Sequence, residues 1–159
     1  MVKTIDINKI YHGYKPSLER FYKKYFKHDG NPLLWKNTPI CQFAIDYVKM
    51  GDKVLDEQFL DKHFFIRYEY ERYSSAESVR NDKHKYKAAN RLIKLIESIR
   101  KHGYAQGKFN DKRHLIRVEK GFVSPYGSDP EGYKLLARKH KMSACFALGL
   151  QEIKAQVHE

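Results

Sequence analysis

Four consecutive basic residues stand at the predicted start of a helix near the end of the chain. They are Arg138, Lys139, His140 and Lys141. A helix N-terminus carries about half a positive charge, so cations placed there repel both the helix dipole and one another. An anion bound by the free backbone N–H groups and the basic side chains would remove this repulsion. The pattern therefore predicts a phosphate-binding site at these four residues.

Acidic residues on the predicted loops around this site are candidates for catalysis, because a carboxylate takes a substrate proton or holds a metal ion. They are Asp111, Glu119 and Asp129. His140 is a fourth candidate, as general acid, although we favour it as a phosphate donor. The alternative for each loop carboxylate is an ordinary solvated side chain. No Walker A, HExxH, GxSxG or CxxC pattern is present, and the eight histidines have no metal-ligand spacing, so catalysis stays undecided.

Positive charge is concentrated in one quarter of the sequence. Residues 80–117 hold twelve Lys and Arg against three acids, in a chain whose net charge is +12. Such a segment favours a surface that neutralises phosphates, and the alternative is a solvated helix face. The candidate nucleic-acid-binding residues are Arg91, Lys94, Arg100, Lys101, Lys108, Lys112 and Arg113. The turn after Gly103 is expected to bring Arg100, Lys101 and Lys108 towards Lys139 and Lys141, forming one shared groove.

Length and composition indicate one folded domain. The chain has 159 residues, of which 42% are hydrophobic and 14% aromatic, more than a disordered chain would carry. No apolar run approaches the roughly 20 residues of a membrane-spanning helix, so a membrane is not an expected partner. Cys41 and Cys145 lie in apolar helical patterns without disulfide or metal spacing. Buried free thiols and a cytoplasmic location are therefore expected.

Helices dominate the first two thirds of the predicted structure. Residues 17–27 have helical spacing behind Ser17 as a cap, and residues 56–73 repeat aromatic side chains with a helical period that includes His63 as a packed histidine. Thr38 and Pro39 open a helix that Gly51 closes. A long basic helix opens at the capping-box pair Ser74 and Glu77 and ends at Gly103.

The last third changes character. The expected strands are residues 3–7 near the start and then 114–118, 133–137 and 153–157, with a turn-rich loop over 121–132 and a helix over 139–148. We predict an α+β domain in which residues 1–10 and 114–157 form a small mixed sheet. The helices of residues 17–103 are expected to pack around that sheet.

These C-terminal motifs resemble the ParB N-terminal domain-like (ParB/sulfiredoxin-like) superfamily. Its members have a helix ending in S-I-x-x-x-G, here Ser98 to Gly103, then a strand, then a G-x-x-R box that opens a helix ending in A-L-G before a final strand. TIDINKI near the start resembles the family's first strand. In this family the box binds nucleotide phosphates. The resemblance covers about half the chain, and it implies a ParB/sulfiredoxin-like core with a helical insertion at roughly 17–75.

The chain departs from the family pattern at the box itself. Arg138 stands where the box has Gly, and Lys141 stands where it has its key Arg, so a point charge replaces a bidentate fork. Lys139 occupies the place of the sulfiredoxin catalytic Cys, which argues against that chemistry, and Ala137 replaces the acid of the related small-molecule kinases. With its last predicted strand near residue 159, the chain resembles a stand-alone domain of phage or mobile-element type.

Three classes of function follow from these features. The first is a nucleic-acid- or nucleotide-phosphate-binding ParB-like protein that uses the basic segment. The second is a ParB-like enzyme, a metal-dependent nuclease or a nucleotide-dependent phosphotransferase, for which the candidate cofactor is a nucleoside triphosphate with Mg²⁺. The third is a basic effector that binds an acidic host protein.

Overall fold

A five-stranded mixed sheet lies at the centre of the fold. The computed structural model describes residues 1–26, 32–72, 82–104 and 115–159, with side chains described from residue 85 onwards in the third range. The strands are β1 (Val2–Asp6), β2 (Ile10–Tyr11), β3 (Ile116–Ser124), β4 (Gly127–Ala137) and β5 (Glu152–His158), in the order β1-β5-β3-β4-β2. The predicted mixed sheet, built from the two ends of the sequence, is confirmed.

Strand direction alternates irregularly across the sheet. β3 pairs with β5 in parallel and with β4 antiparallel, whereas β1 pairs antiparallel with β5 and β2 pairs in parallel with β4. Alternate residues of β3 and β5 face the core, where Ile116, Val118, Ile153, Ala155 and Val157 are buried. The parallel connection between β3 and β5 runs through β4 and a helix, so that helix is fixed against the sheet.

Six α-helices cover the sheet within the described residues. They are α1 (Glu19–Tyr25), α2 (Pro39–Met50), α3 (Glu57–Lys62), α4 (Phe64–Arg72), α5 (Asp82–His102) and α6 (Lys139–Ala147). The α+β class is therefore confirmed. As predicted, α2 begins behind Thr38, whose hydroxyl accepts a hydrogen bond from the Cys41 N–H, and it ends at Gly51 with a positive φ of 65°. Cys41 and Cys145 are buried free thiols, also as predicted.

Two of the predicted helices differ in detail. Ser17 does not cap the first helix, because Pro16–Leu18 forms a 3-10 turn and Leu18 takes the N-cap position of α1. The helix predicted over 56–73 is two helices, α3 and α4, separated at His63. The His63 Nδ1 accepts a hydrogen bond from the Phe65 N–H at 3.1 Å, so this packed histidine starts the second helix. Ser74 and Glu77 lie outside the described residues.

The prediction of a turn-rich loop over residues 121–132 is wrong. β3 continues to Ser124 and β4 begins at Gly127, so most of this segment is a β-hairpin. Its Gly121 has a φ of 85° and lies between two register shifts, which identifies a β-bulge in place of a loop. The predicted strand over 133–137 is the second half of β4. The predicted end of α5 before Gly103 is confirmed, and α6, which ends before Gly149, matches its prediction closely.

Candidate functional site

One face of α5 carries a line of positive charge. Lys87, Arg91, Lys94 and Lys101 are all exposed and project from the same side of the helix, because their spacing of three, four and seven residues returns to one face. We call these four residues the basic stripe. At 1.5 Å per residue the stripe is about 21 Å long. Among the described residues, none of the four forms an ion pair with a carboxylate.

The opposite face of α5 explains why the stripe stays exposed. Ala89, Leu92, Ile93, Ile96 and Ile99 are buried in the main core, so burial fixes the rotation of the helix. Lys85 is also buried, at 2% exposure, and its ammonium donates to Asp61 at 2.7 Å and Glu57 at 3.3 Å. This lysine anchors α5 to α3 and belongs to the core.

Arg100 lies apart from the stripe. It forms an ion pair with Glu97 at 2.5 Å, and Glu97 accepts a hydrogen bond from the Tyr47 hydroxyl of α2 at 2.8 Å. The candidate Arg100 therefore faces α2, whereas the candidates Arg91, Lys94 and Lys101 share the basic stripe. Three further candidates, Lys108, Lys112 and Arg113, lie outside the described residues.

The basic box at the start of α6 separates into two parts. Lys141 is buried, at 9% exposure, and its ammonium lies 4.7 Å from the centroid of the Tyr104 ring. Burial lowers the pKa of Lys141, as does Arg138, while Cys145 raises it. Tyr104 follows directly after α5, donates a hydrogen bond to the Lys154 carbonyl and accepts one from the Ile116 N–H. Lys141 thus points to the junction of α5 and the sheet.

Arg138 has an unusual backbone conformation at the same box. Its φ of 74° and ψ of 44° are left-handed, and it is the only described non-glycine residue with positive φ. Arg138 is the N-cap of α6, yet its side chain makes no capping hydrogen bond to the first turn. A left-handed conformation carries a steric cost for a residue with a Cβ, a cost that glycine avoids.

Lys139 and His140 lie on the other side of the box, towards α5 and α4. Loss of hydration lowers the pKa of Lys139, although much of its side chain is exposed. Glu69 raises this pKa, and Arg72, Lys15 and Arg91 lower it. The pKa of His140 falls to about 4 through burial and the charges of Arg91 and Lys139. Arg91 therefore connects the basic stripe to α6, in the place expected for Arg100 and Lys101.

His12 lies beneath these cations. Its ring stacks on Trp35 with centroids 5.5 Å apart and planes 4° apart, and its Nδ1 donates to the Gly13 carbonyl at 2.8 Å. Burial lowers the pKa of His12 to about 4. Lys15, Arg72 and Lys139 lower it too, and the Gly13 carbonyl raises it. The ring is therefore neutral at pH 7, and its Nε2 carries a lone pair.

Lys15, Arg72, Arg91 and Lys139 are named here the cationic cluster. Lys15, Arg72 and His12 were not predicted as site residues from the sequence. Each is an isolated residue in its own segment, so no local pattern links it to α6. The packing of the β2–α1 connection, α4, α5 and α6 places Lys15, Arg72 and Arg91 near enough to Lys139 to lower its pKa.

The carboxylates considered for catalysis are held by structural contacts. Glu119 lies on β3 and forms an ion pair with Lys134 of β4 at 2.5 Å. Asp129 lies on β4 and accepts hydrogen bonds from the Tyr11 hydroxyl at 2.9 Å and the Glu131 N–H at 3.0 Å. Both residues are therefore in strands, and their placement on loops was wrong. Asp111 lies outside the described residues.

Two structural features are absent from the described residues. They contain no group of three or more His, Cys, Asp or Glu side chains arranged to hold a metal ion. They also contain no helix with the length and apolar character needed to cross a membrane. The histidine that has a carboxylate partner, His63, bonds through Nε2 to Asp46 at 2.8 Å and through Nδ1 to the backbone, so both its nitrogens are used structurally.

Comparison with known proteins gives no match for this chain among family models, curated proteins or solved structures.

Proposed function

We propose that this protein binds nucleic acid through the basic stripe, as a member of the ParB-like group and of phage or mobile-element type. The observation that carries the proposal is the line of four exposed cations on α5, none paired with a carboxylate among the described residues. Phosphate groups would neutralise these charges and release condensed counterions. The order α5, β3, β4, α6, β5, in which a helix lies between two parallel strands, supports the proposed ParB-like affiliation.

The box contributes to the proposed site through Lys139 and His140, which lie near Arg91. Arg138 remains a candidate phosphate donor at the N-cap of α6. Lys141 has a different role in this proposal, because its ammonium is buried against Tyr104. We assign Lys141 to the packing of α6 and assign phosphate contact to the other three residues. The buried free thiols suit a cytoplasmic setting, which is part of the same proposal.

The test is the salt dependence of binding to a fluorescent 20-base-pair duplex. The variant Lys94→Ala/Lys101→Ala removes two stripe charges, and Lys53→Ala/Lys62→Ala is the matched control, because it removes two exposed lysines from other segments. We expect wild-type affinity to fall linearly with log salt. The stripe variant should reduce that slope by about 2 and weaken binding by at least about tenfold at low salt.

Several outcomes would replace the proposal. Equal losses in the stripe variant and its control would place the interface elsewhere. Mg²⁺-dependent nicking of the duplex, or consumption of a nucleoside triphosphate, would favour the enzyme. Indifference to nucleic acid, together with a stable acidic protein partner, would favour the effector.

A further inference from the structure

The cationic cluster differs from the basic stripe in the way its charges are arranged. The stripe spreads its cations along one helix, whereas the cluster gathers cations from four separate parts of the chain. Lys15 comes from the segment between β2 and α1, Arg72 from the end of α4, Arg91 from α5 and Lys139 from α6. Arg91 belongs to both surfaces. The stripe therefore leads into the cluster at this residue.

An aromatic layer beside His12 contacts the side chain of Arg72 and the backbone of Lys15. The Arg72 guanidinium donates to the Tyr68 hydroxyl at 2.9 Å, and Tyr68 contacts Phe26, whose ring meets His12 edge-on at 5.3 Å. The Lys15 backbone N–H donates to the Tyr22 hydroxyl at 2.9 Å. The Tyr22 ring also meets His12 edge-on, at 5.4 Å.

A second set of contacts ties Lys139 to the same layer. Trp35, which stacks on His12, donates its indole N–H to Ser143 Oγ at 3.0 Å. The Ser143 hydroxyl donates to the Lys139 carbonyl at 2.9 Å. The first turn of α6 is thus attached to the ring system that also positions Lys15 and Arg72. These attachments fix the Arg72 guanidinium and the backbones of Lys15 and Lys139 around one ring system, which reduces part of the ordering cost of binding.

The electrostatics of the cluster favour an anion. Glu69 has the largest effect of any neighbouring charge on Lys139 and favours its charged form, whereas Arg72, Lys15 and Arg91 each disfavour that form. Lys15, Arg72 and Lys139 likewise disfavour a charge on His12. The cations repel one another when no ligand is present, and a bound anion would remove that repulsion.

The charge of the anion distinguishes two ligand classes. A phosphodiester within a strand carries one negative charge, and such charges recur along the backbone, which suits the extended stripe. A terminal phosphomonoester carries about −1.5 to −2 at pH 7 and has three acceptor oxygens. Several cations around one point interact more favourably with this concentrated negative charge than with the single charge of a phosphodiester.

We propose that the cationic cluster receives the terminal phosphomonoester of a nucleic-acid strand whose backbone lies along the basic stripe. This inference rests on the proposed function. Arg91 contacts the strand where it passes from stripe to cluster, and Lys15, Arg72 and Lys139 surround the terminal phosphate. His12 forms the floor of this site, and its Nδ1 donates to the Gly13 carbonyl.

The experiment compares three forms of one fluorescent oligonucleotide, with a 5′-phosphate, a 3′-phosphate or hydroxyl groups at both ends, at one ionic strength. We expect one phosphorylated form to bind at least about tenfold more tightly than the hydroxyl form. Lys15→Ala should remove this preference while changing the affinity for the hydroxyl form by less than about threefold. Lys139→Ala should also remove the preference, and it should weaken the hydroxyl form as well, because Lys139 belongs to the proposed nucleic-acid site. Lys94→Ala/Lys101→Ala should weaken all three forms and preserve the preference.

The possible failures are distinguishable. Equal affinity for the three forms would overturn the inference and leave nucleic-acid binding intact. A preference that survives both Lys15→Ala and Lys139→Ala would place the terminal phosphate away from the cluster. Using both variants protects the test against a folding defect in one, since Lys15 lies in the segment before α1 and Lys139 lies on α6. Failure of every oligonucleotide to bind would overturn the proposed function and this inference with it.

Discussion

Trp35 and Ser143 join two distant parts of the chain, because the indole N–H donates to the serine hydroxyl at 3.0 Å in the buried interior. Trp35 belongs to the 3-10 helix Trp35–Asn37, and Ser143 belongs to α6. Since Ser143 also donates to the Lys139 carbonyl, the bond fixes the first turn of α6 relative to the ring of His12. The position of Lys139 therefore depends on a hydrogen bond between two uncharged side chains.

Ser143→Ala tests this contact. The substitution leaves the buried indole N–H of Trp35 without its acceptor, which costs about 1–3 kcal/mol. We expect the free energy of unfolding in urea to fall by that amount. Ser128→Ala, which changes an exposed serine of β4, is the control and should stay within about 0.5 kcal/mol of wild type. Equal stability of the two variants would show that the hydrogen bond contributes nothing.

Acid should destabilise the fold through its neutral histidines. The pKa values of His12 and His140 are lowered to about 4, and burial lowers that of His63 as well. A histidine in the unfolded chain has a pKa near 6.5. Just below this pH it becomes charged in the unfolded chain, whereas the buried rings of the folded state remain neutral. The unfolded chain therefore binds more protons between about pH 6.5 and 4, so stability is full above this window and falls as the pH decreases through it.

The measurement is the free energy of unfolding from pH 8 to 4 at constant ionic strength. His12→Asn should make the decline shallower, because one titrating group is lost, whatever the substitution does to stability at pH 8. His158→Asn, at an exposed position on β5, is the matched control and should reproduce the wild-type slope. An unchanged slope in His12→Asn would contradict the neutral state of that ring.

The two thiols should be unreactive in the folded protein. Burial raises the pKa of both Cys41 and Cys145 to about 12, and Lys141 opposes this only weakly at Cys145. Because the thiolate is the reactive form, alkylation by iodoacetamide at pH 8 should be at least about tenfold slower in buffer than in denaturant. Mass spectrometry of the intact chain would count the modified residues. Rapid labelling of the native protein would show that one of these cysteines is accessible.

Gly132→Ala should be destabilising through a steric clash. A Cβ at this position would lie 2.6 Å from Tyr11 Cε2 and 2.9 Å from Asp129 Oδ2. The Tyr11 ring is held by stacking on Phe122 at 4.5 Å and by its hydrogen bond to Asp129, so it has little freedom to move. We expect a cost of about 1–3 kcal/mol in thermal or urea unfolding.

Gly13→Ala is the matched control for this substitution. Its Cβ would meet Lys134 Cδ at 3.2 Å and Cγ at 3.3 Å, and a flexible lysine side chain can shift by that amount. The control should therefore lose less stability than Gly132→Ala. The reverse order would mean that the Tyr11 ring adapts more readily than its contacts suggest.

Local chemistry made several elements predictable from the sequence. Thr38, Pro39 and Gly51 define α2 because capping depends on residues within one turn. The β-hairpin was harder to predict from the sequence, because its Gly and Pro residues are also typical of a loop. Gly121 serves a β-bulge, and Gly127 starts β4 with a φ of 139°. Turn-forming residues alone therefore did not distinguish a loop from an irregular hairpin.

The candidate site was predictable to the extent that it lies in one segment. Lys139 and His140 were found because they are adjacent in the sequence and stand at a helix start. The burial of Lys141 depends on Tyr104, and the approach of Arg72 depends on the end of α4, so neither followed from spacing. Helix packing decides which of several nearby cations face one another.

The pairing of β1 with β5 has a consequence for how the molecule is made. Val2 is the register partner of Gln156, and Asp6 is the partner of Glu152. During synthesis on the ribosome, β1 emerges before β5. It cannot form its antiparallel pairing until residues 7–151 and then β5 itself have been made. Contacts of such sequence separation slow folding, because a long loop must close before they form. The helices can form and pack against one another earlier, whereas the sheet is complete only after β5 has been synthesised.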